Sequence, residues 1–553
     1  MRLARLGSFH ASRLSFLRVM LRRMHQESWQ FSRPVWRMDE NGYGVATYQL
    51  QGPERSYTLV AFSHKLNDAD RSDRVIAEAW DATFTLFDGI PSEKDLHRLA
   101  QHVPKQEGAR LEQSELALSR ANKSVRLFNY VIDCLAKGHQ PDADKLAPVG
   151  YLMRTTAVYG AGKFGAADRQ HWMQRPEFIG SFQPEMMSVW LIRTFTIDLV
   201  NHIAKSRAPE KAVTLNAEIR RSLGVGNSTG LGMAPFLVNH PVLLHQWIVA
   251  RETALARVRS IDSVSPAELV NKTTELLQLL QLNRQIAEEW QSEHKLQQEK
   301  ISDLLSGINS LTTYLESVDG QATLTGADKP WDTLYVQANK QQTLEAQELL
   351  VSMLIELYPE RVDDLATAMS ADETREFQID GQMPISEFAD LTTRLYDWTL
   401  GQDFDQPDNI ARVWYVSEEK LEPRLGERFE EMLEPYEQPL APARDITLLN
   451  KDLEWFKQQN TQAGPTLAHF LLLHPQHRHA ARRVLAVARY PYAELRDNTI
   501  SANMLPIDML RCKLSFFGAT KFDPRSDRWL RITLFQHAPY PDEINTIDPD
   551  RLV

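Results

Sequence analysis

Three segments near the start of the chain have the residue pattern of β-strands. Residues 43–50, 56–62 and 82–87 are rich in β-branched and aromatic side chains, and Gly52-Pro53 and Asp88-Gly89 follow two of them. Glycine and proline pairs of this kind are typical of turns. The pattern therefore predicts three strands before residue 90.

The segments between residues 90 and 400 predict one further strand and many helices. Residues 92–137 have a helical pattern, and residues 152–159 resemble another strand. Helical periodicity then dominates residues 184–400. The pattern predicts that strands are few and that helices make up most of the chain.

The clearest helical pattern begins at Ser265. Ser265 can cap a helix, Pro266 suits its first position, and Glu268 can complete a capping box. From residue 269 to residue 315, an alternating spacing of four and three places apolar residues at ten of fourteen positions. Such a seam is typical of a coiled coil or a long bundle helix, and residues 265–318 would span roughly 70 Å. Its partner is either another helix of the chain or a second copy of the protein.

The predicted fold class is α+β and predominantly helical, because strand-like segments return at residues 411–417, 511–517 and 529–535. Two α+β portions are separated in sequence by a long helical middle with a coiled-coil-like helix. The expected divisions are a disordered or presequence-like arm over 1–30, an α+β portion with a glycine-rich loop over 31–260, the helical middle over 261–400, and a second α+β portion over 401–553.

The first 24 residues contain six arginines and no acidic residue. A positive, serine-containing amphipathic segment is typical of an organellar presequence. The alternatives are a start at Met24 and a short disordered arm. We expect a cytoplasmic protein, or one of an organellar matrix if residues 1–24 are a presequence.

Charge and composition narrow the classes of partner. The chain has 62 Lys+Arg and 73 Asp+Glu, a formal net charge of −11, which argues against nucleic-acid binding. No apolar run reaches the roughly 18 residues of a membrane helix. Two cysteines cannot form a disulfide framework or a four-thiolate zinc site. The sequence therefore predicts neither a nucleic-acid partner nor a membrane partner.

A glycine-rich stretch at residues 224–232 is the main candidate for ligand binding. Glycine allows close approach of the backbone to a ligand, and backbone N–H groups ahead of a helix attract anions. We therefore expect a loop that binds a carboxylate or phosphate. The residues assigned to it are Gly224, Gly226, Asn227, Ser228, Thr229, Gly230 and Gly232.

Part of the same stretch matches the Gly-x-Ser-x-Gly pattern of a nucleophile elbow, with Ser228 at its centre. An elbow holds its serine between a strand and a helix. Residues 217–223, which precede the motif, are charged and helix-like. A serine hydrolase is therefore an alternative hypothesis only.

Positive side chains follow the predicted strand at residues 152–159. Gly160, Gly162 and Gly165 fit a dinucleotide-binding spacing, but the residues after them form a poor helix. Lys163 and Arg169 are better interpreted as charges for an anionic ligand. The alternative is surface ion pairing, which contributes little to stability.

Histidines supply the candidates for proton transfer. His240 follows the glycine-rich stretch, and His64 follows a predicted strand. A second group, His469, His474, His477 and His479, lies near Arg478, Arg482 and Arg483. No cysteine accompanies that group and the arginines repel cations, so no metal site is predicted there.

The leading hypothesis is a soluble metabolic enzyme that binds a small anion at the glycine-rich loop and uses general acid/base chemistry. Its reaction class and cofactors are unknown. The catalytic candidates are His240, His64 and Ser228, and the charged binding candidates are Lys163 and Arg169. The alternatives are the Ser228 hydrolase and a non-catalytic scaffold. A homo-oligomer through residues 265–318 is expected.

Overall fold

The computed structural model describes most of the chain. The described residues are 12–65, 80–105, 112–155, 175, 177, 183–228, 241–262, 264–290, 295–369, 379–401, 441–459, 464–490, 514–516, 518–522 and 531–548. None of the described helices is long and apolar enough to cross a membrane.

The strands are β1 (Gln30–Met38), β2 (Gly44–Gln51), β3 (Ser56–Ser63), β4 (Ala82–Asp88), β5 (Glu115–Lys123), β6 (Tyr151–Thr155), β7 (Gly224–Ser228), β8 (Ala519–Phe522) and β9 (Arg531–Leu534). The helices up to residue 259 are α1 (Phe16–Gln26), α2 (Glu93–His102), α3 (Phe128–Ala136), α4 (Ala143–Leu146), α5 (Gln183–Arg207), α6 (Ala217–Ser222) and α7 (Pro241–Arg259). The later helices are α8 (Pro266–Glu289), α9 (Lys295–Glu316), α10 (Val318–Thr325), α11 (Pro330–Gln341), α12 (Leu344–Glu356), α13 (Pro359–Val362), α14 (Ile385–Leu400), α15 (Ala441–Gln459), α16 (Leu467–Leu473) and α17 (Arg478–Arg489).

The nine described strands form one mixed sheet in the order β1-β2-β3-β4-β5-β6-β7-β9-β8. Neighbours from β1 to β6 are antiparallel, β6 and β7 are parallel, and β9 pairs antiparallel with both β7 and β8. The helix-rich α+β class is confirmed at this level. Strands from the two sequence portions therefore lie in a single sheet.

Helix α5 supports one face of this sheet and packs against β2 to β7. Its side chains also bind the end of the described chain. Trp190 donates its indole N–H to the carbonyl of Pro539 at 2.8 Å, and the buried Arg193 donates to the carbonyl of Ala538 at 2.7 Å. The other face is covered by α2 over Val60, Phe62 and their neighbours.

The arginine-rich N-terminal segment lies in the core. Helix α1 is buried along most of its length. Arg13 donates to Asp363 at 2.7 Å, and Arg18 forms a two-bond ion pair with Glu356. Residues 12–30 are therefore ordered and not a disordered arm, and the presequence interpretation stays a prediction. Three of these arginines, Arg13, Arg18 and Arg22, are paired with Glu356 and Asp363 of the helical middle.

The heptad pattern divides into two helices, α8 and α9, which pack against each other and against α12. Trp290 ends α8 in an extended conformation. The seam positions Leu276, Leu280, Ile308 and Leu311 are buried in the chain's own core. The described apolar positions of the seam are thus covered within one chain, and oligomerisation through residues 265–318 remains a prediction.

Residues 379–401, 441–459 and 464–490 form a helical unit with its own apolar core. The second portion was expected to be α+β from residue 401, but its described residues up to 490 are helical. Residues 514–516, within a predicted strand, are also helical. Only β9 confirms a predicted strand in this part, since residues 411–417 lie outside the described residues.

Candidate functional site

The described half of the glycine-rich stretch is a strand inside the sheet. Strand β7 hydrogen-bonds to β6 on one side and to β9 on the other. The amide of Gly224 donates to the carbonyl of Gly150 at 2.8 Å. The prediction of an unpaired backbone that binds anions is therefore wrong for Gly224, Gly226, Asn227 and Ser228.

The two described glycines of β7 are explained by close packing. A Cβ on Gly226 would lie 2.7 Å from the ring of Tyr151, and one on Gly224 would lie 2.3 Å from the carbonyl oxygen of Leu534. Both distances are too short for a side chain, so the glycines allow the strands and their neighbours to approach. The glycines of the pattern predict space for a ligand, but in the structure that space is filled by Tyr151 and Leu534.

Ser228 is the last residue of β7, and its backbone pairs with Arg531. Helix α6 ends at Ser222, so a short strand separates that helix from the serine. This strand was missed from the sequence because the segment before it is charged. For Asn227 and Ser228 only the backbone is described. The remaining candidates outside the described residues are Lys163, Arg169, Thr229, Gly230, Gly232 and His240.

His64 is the one predicted catalytic side chain that the structure describes. It follows β3, and its amide donates to the carbonyl of Asp81 at 2.8 Å. Its Nε2 lies 2.9 Å from the hydroxyl oxygen of Thr83. Burial lowers the pKa of His64 below its usual value, while the charge of Asp81 opposes that decrease. The imidazole is therefore mainly neutral at pH 7 and can accept a proton.

A cleft of about 530 Å³ contains His64. It lies between the paired ends of β1, β2 and β3 and helix α2, which contributes Glu93 and His97. Arg37 forms an exposed ion pair with Glu93 on its wall. Ser63 contributes to the cleft wall, but it lies opposite Ala82 in the register of β3 and β4, so its side chain points to the other face of the sheet. The cleft thus combines an imidazole with a guanidinium.

Basic side chains share the sheet face of His64. Thr83 lies opposite Arg120 in the register of β4 and β5, and Asn122 lies opposite Arg154 in that of β5 and β6. Directly opposite residues of an antiparallel pair point to the same face. Arg120, whose guanidinium packs on the ring of Trp80, and the buried Arg154 therefore lie on the same face of the sheet as His64, outside the cleft wall itself.

A buried network fixes the strand ends beside His64. The amide of Asp81 donates to Oδ1 of Asn122 at 3.0 Å, and the amide of Lys123 donates to Oδ2 of Asp81 at 2.9 Å. Asp81 is 1% exposed. These bonds hold the ends of β4 and β5 together, so the backbone that positions His64 is rigidly supported.

The structure does not place His64 beside Ser228. Strands β4, β5 and β6 separate their strands, β3 and β7. At about 4.8 Å per strand, four steps across the sheet correspond to roughly 19 Å. A serine hydrolase using Ser228 would therefore need a base other than His64.

Known proteins provide no further guide. No family model, curated protein or solved structure matches the chain. The roles of the residues around His64 consequently depend on geometry alone.

Sequence reasoning missed most of the surroundings of His64. Arg120 and Asn122 lie in β5, which falls inside the segment predicted to be helical. Their alternation with Ser119 and Ala121 is a period-two signal, but alanine, leucine and lysine in the same segment favour a helix. Pairing with β4 and β6 decides the conformation instead.

Proposed function

We propose that the protein is an enzyme that binds a small anionic molecule on the α2 face of the sheet and uses His64 as a general base. The observation that carries the proposal is a half-buried histidine of lowered pKa inside a cleft. Proton transfer is efficient when the pKa of the base lies near the working pH. Burial of His64 favours the neutral imidazole that this role requires.

The anionic character of the ligand follows from the guanidinium groups near the cleft. Arg37 lies on its wall, and Arg120 and Arg154 lie farther along the same face. Guanidinium groups bind carboxylates and phosphates through two parallel hydrogen bonds. The pair of Arg37 with Glu93 is exposed and opens at little cost, so a ligand can replace Glu93 there.

Titration calorimetry with inorganic phosphate and with succinate tests the ligand class. We expect saturable binding of at least one of the two, and weaker binding to Arg120→Gln. Arg284→Gln is the matched control, because Arg284 is an exposed arginine that pairs with Glu288 on α8. Absence of saturable binding by both anions would overturn the proposal.

The histidine signals in NMR spectra test the role of His64. His64→Gln identifies its signal, and His139→Gln serves as an exposed control. We expect the His64 signal to titrate below pH 6.5 and to shift when the anion binds. Binding that leaves this signal unchanged would remove His64 from the site.

A second candidate function is the hydrolase with Ser228 as nucleophile. The observation that favours it is that Ser228 ends a strand that lies beside a parallel strand, as the first half of an elbow requires. A fluorophosphonate probe should then label the wild type and not Ser228→Ala. Equal labelling of both proteins, or no labelling of either, would count against this function.

A further inference from the structure

Three potential metal ligands converge in the C-terminal helical unit, remote in sequence from His64. Asp452 lies in the middle of α15. His474 ends α16, and Pro475 begins a single 3-10 turn that closes at His477. Because proline cannot continue α16, the chain turns there and brings both imidazoles to the same side of α15.

The donor atoms of these residues are close enough for one ion. Nε2 of His477 lies 2.8 Å from Oδ2 of Asp452, and Nδ1 of His474 lies 3.7 Å from the same oxygen. All three donor atoms lie within 4.8 Å of one another. Ligands around a tetrahedral zinc ion are roughly 3.3 Å apart, given metal–ligand distances of about 2.0–2.1 Å. Small side-chain rotations would therefore complete the coordination.

An aromatic side chain fixes the orientation of both imidazoles. The buried ring of Phe470 stacks on His474 at a centroid distance of 4.9 Å and on His477 at 5.9 Å. His477 is 5% exposed, which places it at the inner side of the cluster. The donors are thus held in place before any ion binds, and binding costs little side-chain entropy.

None of the nearby described arginines forms an ion pair or hydrogen bond with the carboxylate of the cluster. Arg478 and Arg482 are exposed, and Arg483 lies close enough to Asp445 to interact with its carboxylate. In the described part of the chain, no arginine contacts Asp452. The sequence predicts no metal site here because cysteine is absent and arginines are near, but two imidazoles and a carboxylate suffice as ligands and no described arginine is paired with Asp452.

We propose that Asp452, His474 and His477 bind one divalent transition-metal ion of the zinc class, with water as the fourth ligand. Two imidazoles and a carboxylate are a set that zinc, cobalt and nickel accept, whereas magnesium and calcium prefer oxygen ligands. Asp452 lies on the open side, since its side chain is 38% exposed. The fourth position therefore faces solvent, as in zinc sites that activate water.

Cobalt binding to the full-length protein after dialysis against a chelator tests this site. We expect one Co²⁺ per chain with the visible absorption of a four-coordinate ion, and displacement by Zn²⁺. Removing an outer-shell partner typically costs about 10–100-fold in metal affinity, so loss of a ligand should cost at least about tenfold. Asp452→Asn and His474→Gln should both show this loss.

His469→Gln is the matched control. His469 lies on α16, the helix that His474 ends; its side chain is exposed and contacts Phe456 instead of the cluster. This variant should bind Co²⁺ as the wild type does. Circular dichroism of each metal-free variant establishes that the fold survives, and Asp452→Asn preserves the size of the side chain.

Two results would overturn the proposal. One is Co²⁺ affinity in the wild type that does not exceed that of the doubly substituted Asp452→Asn, His474→Gln protein. The other is an equal loss of affinity in His469→Gln, which would place the ion elsewhere. In either case the Asp452–His477 contact would be a hydrogen-bonded pair that joins α15 to the turn after α16.

Discussion

Arg18 and Glu356 form a buried ion pair across 338 positions of sequence. Nη2 of Arg18 donates to Oε2 of Glu356 at 2.8 Å, and Nη1 bonds to the other carboxylate oxygen. The two side chains are 2% and 10% exposed. The pair joins α1 to the end of α12, so the N-terminal helix and the helical middle depend on each other.

Removing one member of this pair should destabilise the protein strongly. Arg18→Met removes both hydrogen bonds from Arg18 to the buried carboxylate of Glu356 and leaves it with Arg13 at 3.6 Å, so a loss near the lower end of about 3–5 kcal/mol in the free energy of unfolding is expected. Urea denaturation measures the change. The control is Arg284→Met, whose exposed pair with Glu288 should contribute about 0.5 kcal/mol or less. Equal effects of the two substitutions would contradict the burial argument.

Gly226→Ala should damage packing. The added methyl group would meet the ring of Tyr151 at 2.7 Å, and overpacking of this kind costs about 1–3 kcal/mol. The midpoint of urea denaturation should fall. Gly401→Ala is the control, since no atom of the described residues lies within 4 Å of a Cβ at that position. An unchanged midpoint for Gly226→Ala would show that the ring of Tyr151 can move to accommodate the methyl group.

Leu280→Ala tests what the heptad seam contacts. Leu280 is fully buried in the chain's own core, so its truncation should cost about 2–5 kcal/mol in unfolding free energy. Val270, on the same helix, is 64% exposed, and Val270→Ala should change stability by about 0.5 kcal/mol or less. Light scattering of both variants reports the molar mass. A drop in mass for Leu280→Ala without loss of stability would indicate that the seam joins two copies.

Acid should weaken the fold partly through His64. Its pKa in the folded protein is lowered by burial, so the unfolded chain binds more protons than the folded one just below the ordinary pKa of about 6.5. The contribution of neutral His64 to stability is therefore fully present above about pH 6.5 and is lost as the pH falls towards the pKa of His64 in the folded protein. His245 and His479 have lowered pKa values for the same main cause and act in the same direction.

The measurement is the urea midpoint at pH 7.5 and at pH 5.5. His64→Gln should lose less stability between these values than the wild type does. His139→Gln, which replaces an exposed histidine, should match the wild type. A larger loss of stability on acidification in His64→Gln than in the wild type would contradict the expected effect of burying His64.

Local patterns identified the elements whose own residues decide their conformation. The three strands before residue 90 appear as β2, β3 and β4, and Ser265 caps α8 through a bond from the amide of Glu268. Period-two alternation and capping chemistry act over a few residues, so both can be read directly from the chain.

Elements whose conformation depends on distant partners cannot be predicted from local patterns. Arg13 and Arg18 lie in a segment with the composition of a presequence, and only their partners Asp363 and Glu356 show why they are buried. Gly226 is equally uninformative without the ring of Tyr151 above it. For the site, His64 was found because it follows a strand, whereas Arg154 became relevant only through its register with Asn122.

The placement of β9 beside β7 has a consequence for biosynthesis. A ribosome completes residue 228 long before it reaches residue 531. The edge of β7 that pairs with β9 therefore stays unpaired while the intervening chain is made. An unpaired strand edge in a nascent chain invites association with other chains. Fragments that stop before residue 518 should therefore aggregate in cells, and production of the protein should depend on chaperones that shield this edge.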